Sequence, residues 1–415
     1  MGEHLLTGTP EPPRPGTSKE APGRSAEVPG PSAEVPGPSA FAPTGLFTPS
    51  DDAPPDDAMP DDATPVAETE KTAPGRSAPW MWLALGAVVL LALGALVWSR
   101  AGETVAEKAA KVPPLSQPSD PDDPFYLVPG SASERQRATW IAEGRKDDAA
   151  LLEKIASQPT ATWFAEDGPD LTSKVTAVVD GAAKAGRTPV LVAYDLPNRD
   201  CAGPGAASGG AADAAAYQAF IGKLAAATRN SAAYLILEPD AVVHTIDGCL
   251  NEAQAKERFT LLTNAVRTLK ANPKLKVYLD AGNSAWMPAD QMTQVLYASG
   301  LEQADGFALN VGNFQTTEAS IAYGAKIAGK SAGKHFVIDT SRNGAGAPPE
   351  SDDLRWCNPP GRALGPAPTT KTGNPLVDAY LWVKQPGISD GACRDGAPEA
   401  GQFWPDYALE LAASA

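Results

Sequence analysis

Two acidic side chains stand just after apolar stretches of the chain, where they could act as a chemical pair. Asp200 follows VLVAYDLPNR at residues 190–199, and Asp240 follows YLILEP at residues 234–239. Short runs rich in Val, Leu, Ile and Tyr are typical of buried strands, and α/β barrels build active sites at the C-terminal ends of such strands. Two carboxylates brought together at one site suggest chemistry on a glycosidic bond.

The elements that would position these residues are predicted by an alternation of helical patterns with short apolar segments. This alternation favours a parallel β/α barrel over the second possibility, an open doubly wound sheet. The seven predicted strands cover residues 160–165, 189–195, 234–238, 276–281, 306–311, 335–340 and 379–383. Polar residues stand at or just past nearly every strand end, namely Asp195, Glu238, Asp240, Asp280, Asn310, Asp339 and Lys384. A site at one rim of a barrel would collect these groups.

Several other chemistries fit the sequence poorly. Residues 324–331 (GAKIAGKS) match the letters of a phosphate-binding loop, but a helical pattern precedes them and a strand follows, which reverses the required order. The chain has three histidines and no paired metal-ligand spacing, so the sequence predicts neither a metal centre nor a cofactor. A net charge of −16 argues against nucleic acid as a partner, because such binding needs a basic surface.

The first 98 residues differ in composition from the rest of the chain. Residues 1–79 are rich in Pro, Ala and Asp and contain too few large apolar side chains for a core, which predicts disorder. Residues 80–98 (WMWLALGAVVLLALGALVW) carry no charge and have Trp near both ends. At about 1.5 Å per residue this stretch would span roughly 28 Å, which predicts a transmembrane helix and a lipid bilayer as a partner.

The cysteines indicate on which side of the membrane the rest of the chain lies. Basic residues flank residues 80–98 on both sides and do not decide the orientation. All four cysteines lie beyond this stretch, an even number that fits two disulfides in any of three pairings. Because disulfides persist outside the cytosol, we expect a single-pass membrane protein, with residues 99–123 as a juxtamembrane linker and residues 124–415 as an extracytoplasmic catalytic domain.

Six motifs of the C-terminal part together resemble one enzyme family. They are YDLPNRDC (194–201), LEPD (237–240), YLDAGNSAW (278–286), LNVGNF (309–314), WCNPPG (356–361) and WVKQPGISDGAC (382–393). Over most of residues 124–415 the chain resembles glycoside hydrolase family 6, the inverting β-1,4-glucanases that include endoglucanases and cellobiohydrolases. The resemblance implies a distorted seven-stranded β/α barrel, which agrees with the number of predicted strands.

The resemblance also implies roles for individual side chains. Asp240 would be the general acid that protonates the glycosidic oxygen. Asp390 matches the position usually proposed for the base, with a water relay as the alternative to direct contact. Asp200 would keep Asp240 protonated and help to organise water, and Tyr194 would press on the distorted sugar beside the cleaved bond.

Further residues match sugar-binding or structural positions of the family. The remaining substrate-binding candidates are Trp163, Arg199, Ser208, Trp286, Asn310, Trp356 and Lys384. The implied disulfides are Cys201–Cys249 and Cys357–Cys393, which would brace the loops of Asp200 and Asp390. Ile388 and Asn283 depart from the family pattern, which usually has an acidic residue and a His at these two positions.

The sequence therefore predicts a membrane-anchored, inverting, endo-acting hydrolase of β-1,4-glucosidic bonds. The predicted domain leaves little room for long tunnel-forming loops, which favours an open cleft. Ile388 and Asn283 keep two alternatives open. One is a catalytically weak glucan-binding or envelope module, and the other is an enzyme for another β-linked glycan.

Overall fold

The computed structural model describes residues 103–118, 123–202 and 209–415. The predicted disordered region, the predicted transmembrane helix at residues 80–98 and the candidate Ser208 lie outside these ranges. Within the described part of the chain, no helix is both long enough and apolar enough to cross a membrane.

Seven parallel strands form one sheet, and their order in the sheet is their order in the chain. The strands are β1 (Thr162–Phe164), β2 (Val190–Ala193), β3 (Ala233–Leu237), β4 (Leu275–Asp280), β5 (Gly306–Leu309), β6 (His335–Asp339) and β7 (Val377–Leu381). This sequential order confirms the predicted distorted seven-stranded α/β architecture. It excludes the doubly wound sheet, whose strand order reverses at a switch point.

Helices connect the first six strands, and their starts are encoded locally. The helices are α1 (Val105–Ala109), α2 (Ala132–Glu143), α3 (Lys146–Ala156), α4 (Leu171–Ala185), α5 (Ala214–Thr228), α6 (Glu252–Leu269), α7 (Ala289–Ala298), α8 (Thr317–Lys330) and α9 (Pro405–Ala413). Asn251 and Gln254 form a reciprocal capping box at the start of α6, and the Thr316 hydroxyl caps α8. Residues 324–331 thus lie at the end of α8 ahead of β6, so their phosphate-loop lettering has no strand–loop–helix context.

The strands bury side chains on both faces of the sheet. Val192, Ile236 and Tyr278 belong to one cluster, which fills the inside of the sheet, whereas Leu191 belongs to the cluster that packs against the helices. This alternation follows from the two-residue period of a strand. Fully buried Phe125 belongs to the inner cluster. It forms an isolated parallel β-bridge with Thr188, next to the N-terminal end of β2.

The barrel is incompletely closed where its first and last strands meet. In the described chain no strand ladder joins β1 to β7. Instead, the N–H of Ala161 donates to the carbonyl of Trp382 at 3.0 Å, and the indole N–H of Trp163 donates to the carbonyl of Val383 at 2.8 Å. These bonds hold the two edges together without a regular sheet, which produces a half-barrel.

The segment predicted as a juxtamembrane linker is partly bound by the folded domain. The side chain of Gln117 donates to the carbonyl of Leu127 at 2.7 Å and accepts its N–H at 2.9 Å. Arg187, which precedes β2, binds the carbonyl oxygen of Pro118. The chain therefore enters the domain near the N-terminal ends of the strands, opposite to the ends that carry the polar residues.

Gly324 is expected to be essential for the packing of α8 on β6. A Cβ at Gly324 would overlap the ring of buried Phe336, whereas a Cβ at Gly329 on the same helix would meet nothing within 4 Å. We expect Gly324→Ala to lower the free energy of unfolding by about 1–3 kcal/mol through overpacking. Gly329→Ala should raise it by up to about 1 kcal/mol through helix propensity. Urea denaturation of both variants measures the contrast, and equal stabilities would contradict the packing argument.

Candidate active site

The backbone beyond the strand ends adopts an uncommon conformation. Left-handed φ angles between 43° and 68° occur at the non-glycine residues Asn198, Asp200, Cys201, Glu238, Asp240, Asn310 and Asn358. Such residues cost roughly 1–3 kcal/mol each and persist only where surrounding contacts enforce them. Because this strain coincides with the candidate acidic residues, the contacts that enforce it belong to the site.

Asp240 lies just after β3 and is linked to Asp280 at the end of β4. The N–H of Asp240 donates to Oδ1 of Asp280 at 3.0 Å, and the N–H of Gly282 donates to the same oxygen at 3.0 Å. Burial, followed by the charges of Asp280 and Asp200, raises the pKa of Asp240 well above that of an ordinary carboxyl. These surroundings therefore favour the protonated, proton-donating form of Asp240.

Asp280 is a functional candidate that the sequence reading did not select. Its side chain is buried, and burial raises its pKa to about 7 against the opposing effect of its two N–H donors. Because two adjacent carboxyls resist joint ionisation, Asp240 and Asp280 titrate as a pair. The available signal was the position of Asp280 among the polar residues that end predicted strands.

Asp200 contacts Tyr194 at the end of β2. The Tyr194 hydroxyl donates to Oδ1 of Asp200, and the Tyr194 ring packs edge-on against Trp163 with centroids 5.3 Å apart. Burial raises the pKa of Asp200, while the Tyr194 hydroxyl and the charge of Arg199 act in the opposite direction. The structure thus brings together three of the residues that the sequence selected.

Asp390 lies in the opposite electrostatic environment. Its Oδ2 pairs with Nη1 of buried Arg342 at 2.7 Å, and its Oδ1 pairs with Nζ of Lys384 at 2.8 Å. The N–H of Asn358 also donates to Oδ2 at 3.0 Å. Burial opposes ionisation, but the two cations outweigh it and lower the pKa of Asp390 to about 2. Asp390 is therefore a stable anion at a pH at which Asp240 keeps its proton.

Lys384 connects the two environments. Its ammonium group pairs with Asp390, and its positive charge partly offsets the rise in the pKa of Asp240. One carboxyl of this site is thus kept neutral while another is kept charged. Environments that push the pKa values of neighbouring acids apart are a signature of acid–base assignments in enzymes.

The three tryptophans predicted to bind sugar lie in different settings. Trp163 is half-buried on β1, and its indole N–H donates to the carbonyl of Val383, just past the end of β7. Trp286 follows β4 and packs edge-on against His244, with ring centroids 5.5 Å apart. Trp356 is 42% exposed and presents the most open indole of the three. Partly exposed indoles of this kind provide apolar faces on which pyranose rings can stack.

Two other predicted sugar-binding residues are used to hold the protein's own backbone. Asn310 is fully buried, and its side chain donates to the carbonyl of Asp339 at 2.9 Å and accepts a backbone N–H at 3.0 Å. Arg199 donates to the carbonyls of Ala165 at 2.7 Å and Tyr194 at 2.6 Å. Buried polar groups need such partners, so Asn310 and Arg199 both hold the backbone of the site, and sugar contact by either residue stays a prediction.

Both implied disulfides are confirmed. Cys201 is bonded to Cys249 and Cys357 to Cys393, with Cα atoms 5.8 Å and 6.4 Å apart. The first bond begins at the residue after Asp200, and the second begins beside Asn358, which binds Asp390. Each disulfide therefore restrains a segment that contacts or carries a candidate carboxylate.

Two further residues that organise the site escaped the sequence reading. Arg342 follows β6, is fully buried and lies 4.5 Å from the ring centroid of Phe314 while it pairs with Asp390. Asn358 accepts the N–H of Asp390 at 2.8 Å through its side-chain oxygen. Asn358 stands in the motif WCNPPG, which was the available signal. No sequence signal marked Arg342, because most arginines are exposed and a buried one cannot be told apart by its type.

The two departures from the family pattern serve local structure. Asn283 is 7% exposed, and its side-chain oxygen accepts the N–H of Ala285 at 3.0 Å within the turn after β4. Ile388 forms an isolated antiparallel bridge with Phe403. Both residues therefore contribute to the backbone geometry of the loops in which they stand.

Known proteins are similar to this part of the chain in sequence and in fold. The family described as glycosyl hydrolases family 6 matches residues 121–415. Endoglucanase A of Thermobispora bispora is 42% identical over 301 residues, which cover 71% of this chain and 63% of that relative. Endoglucanase A of Cellulomonas fimi is 41% identical over 297 residues, which cover 71% of this chain and 62% of that relative. The chain thus spans less than two thirds of the length of these relatives.

A solved structure shows the same likeness in three dimensions. It is the endoglucanase Cel6 from Mycobacterium tuberculosis in complex with methyl-cellobiosyl-4-deoxy-4-thio-β-D-cellobioside. The two chains share 43% sequence identity with a TM-score of 0.65, and the match covers 70% of this chain and 97% of that chain.

Proposed function

Because the chain belongs to glycosyl hydrolases family 6, we propose that it is an endo-acting hydrolase of β-1,4-glucosidic bonds in cellulose or a related β-glucan. The observation that carries this proposal is the contrast between Asp240, which keeps its proton, and Asp390, which keeps its charge. Hydrolysis with inversion needs a protonated acid on the leaving oxygen, and a nearby anion can stabilise the oxocarbenium-like transition state. The endoglucanase relatives support the endo-acting form.

In the proposed mechanism, Asp240 donates its proton to the glycosidic oxygen as the bond to the anomeric carbon breaks. Water attacks that carbon from the opposite face and releases a proton. A carboxylate with a pKa of about 2, paired with Arg342 and Lys384, is a weak direct acceptor for that proton. We therefore propose that Asp390 stabilises developing positive charge on the sugar, while a water relay carries the proton towards Asp200, whose pKa burial raises.

The substrate would lie against the aromatic residues of the site. Tyr194 and Trp163 pack together beside Asp200, and Trp356 offers an exposed ring. Aromatic platforms suit the apolar faces of glucose rings, and charged side chains suit their hydroxyls. The proposed sugar-binding residues are Tyr194, Trp163, Arg199, Ser208, Trp286, Asn310, Trp356 and Lys384.

We expect the protein to lower the viscosity of a soluble β-1,4-glucan faster than it releases reducing ends, because an endo-acting enzyme cuts chains internally. Asp240→Asn should lower kcat by at least about 10²–10⁴-fold, since an amide cannot supply the proton. Proton NMR of the initial product should show the α-anomer, which is the sign of inversion. Viscometry, reducing-end assays and NMR on the two proteins measure these outcomes.

Asp180→Asn is the matched control for this experiment. Asp180 is exposed on α4, so its variant should keep wild-type activity. Binding of β-glucan without release of reducing ends would favour the glucan-binding module. Cleavage of a different glycan in a substrate panel would favour an enzyme for another β-linked glycan. Full activity of Asp240→Asn would overturn the mechanism.

Asp280→Asn should move the pH dependence of kcat. The general acid works only while protonated, so the rate falls as pH rises through the pKa of Asp240. The amide keeps an acceptor for the N–H of Asp240 and removes the charge that helps to raise this pKa. We therefore expect the alkaline limb of the profile to shift to lower pH.

Asp378→Asn is a suitable comparison for the pH profile. Asp378 lies on β7 and accepts the Tyr278 hydroxyl at 2.5 Å. This variant should leave the alkaline limb in place. An unchanged limb in Asp280→Asn would show that Asp280 does not set the proton affinity of the acid.

We also propose that residues 80–98 anchor the chain in a membrane, with residues 1–79 as a disordered region, 99–123 as a linker and 124–415 outside the cytosol. The charge-free sequence of residues 80–98 and the two disulfides support this arrangement. We expect the full chain to sediment with membranes and resist carbonate extraction, and a chain of residues 99–415 to be soluble and active. A full chain that carbonate releases would contradict the anchor.

A further inference from the structure

Arg258 is a buried cation of α6 whose hydrogen-bond partners all lie outside that helix. It is 2% exposed, on the same buried face of the helix as Leu261 and Leu262. A buried charge is costly unless it is hydrogen-bonded. The atoms that its guanidinium binds therefore indicate what this side chain does.

The guanidinium binds three carbonyl oxygens from two separate segments. Nη2 donates to the carbonyls of Asn198 at 2.8 Å and Pro197 at 3.1 Å, and Nη1 donates to the carbonyl of Ala241 at 3.3 Å. The first segment leads directly to Asp200, and Ala241 follows Asp240. One planar side chain thus joins the loop after β2 to the turn after β3.

Both segments need restraint because their backbones are strained. Asn198, Asp200 and Cys201 have left-handed φ angles of 55°, 56° and 53°, and Asp240 has a φ of 68°. Such conformations persist when surrounding contacts over-determine them. The Cys201–Cys249 disulfide is a second link from the Asp200 loop to the chain that follows β3. Arg258 supplies a non-covalent link between the same regions, closer to Asp240.

We propose that Arg258 is a positioning residue that fixes the separation of the Asp200 and Asp240 carboxyls by tying together the backbones that carry them. This inference rests on the proposed function, since the separation matters for proton donation and for the relay of the released proton. The positive charge of Arg258 also favours the ionised form of Asp200. The effect of the planar guanidinium can be separated from the effect of its charge, because lysine keeps the positive charge but cannot donate from two nitrogens in one plane.

Arg258→Lys is the principal test. We expect kcat on a soluble β-1,4-glucan to fall about 10²-fold with little change in KM, because a displacement of roughly 1 Å has such an effect on reacting groups. Amide hydrogen exchange should become faster in residues 198–201 and 240–247 together. Exchange in β5 should stay at the wild-type rate.

Arg187→Lys is the matched control. Arg187 also binds backbone carbonyls, those of Asp123 and Pro118, but near the N-terminal ends of the strands. We expect this variant to lose thermal stability and to retain kcat. A fall in kcat that simply follows the fall in Tm in both variants would show that Arg258 has only a structural role.

Arg258→Ala with added methylguanidinium provides a second, independent measurement. If the guanidinium fork does the positioning, the added cation should restore part of kcat and slow the exchange of both segments, which ammonium should not do. Wild-type kcat and exchange in Arg258→Lys would overturn the proposal. A wild-type protein inactive on every β-1,4-glucan would refute the proposed function, whereas the exchange measurements would still decide whether Arg258 joins the two segments.

Discussion

The carboxylate of Asp339 accepts backbone N–H groups from the chain beyond three neighbouring strands. Its oxygens bind the N–H groups of Ser341, Gly312 and Lys384 at 2.9 Å and that of Val383 at 3.3 Å. Parallel strands of a half-barrel splay at their ends, and this buried acid ties the ends of β5, β6 and β7 together. The position of Lys384, and through it the environment of Asp390, depends on this one side chain.

The protonation states of Asp240 and Asp390 depend more on the charged groups beside them than on how deeply the two carboxyls are buried. Burial disfavours the charged form of Asp240 and of Asp390 alike. Asp240 has other carboxyls as neighbours, and the charge of Lys384 offsets their effect only in part, so its pKa stays raised. Asp390 has Arg342 and Lys384 within 2.8 Å, and their charges outweigh the loss of water. The fold therefore favours a neutral carboxyl at Asp240 and a charged one at Asp390, because it places Arg342 and Lys384 directly against Asp390.

Much of the fold could be predicted because its signals are local. Apolar runs with β-branched residues located all seven strands, and the polar residues at their ends located the rim. The last strand was placed two residues late, because Trp382 and Val383 extend the apolar run beyond the ladder of Val377–Leu381. The rest depends on contacts between residues distant in the chain. Asn310 and Arg199 are predicted to bind sugar from their motifs, and only the folded chain shows that both also donate to backbone carbonyls of the site.

The incoming chain is attached to the domain at the end of the sheet that lies away from the acidic residues. The amide of Thr188 binds the carbonyl of Pro124, and Arg187 binds that of Pro118, so the incoming segment is fastened below β2. The acidic rim lies beyond the opposite strand ends. The segment that enters the domain and the acidic rim therefore lie at opposite ends of the same sheet. A change in the length or composition of the chain before residue 117 can therefore leave the acidic rim untouched, because the sheet stands between the two.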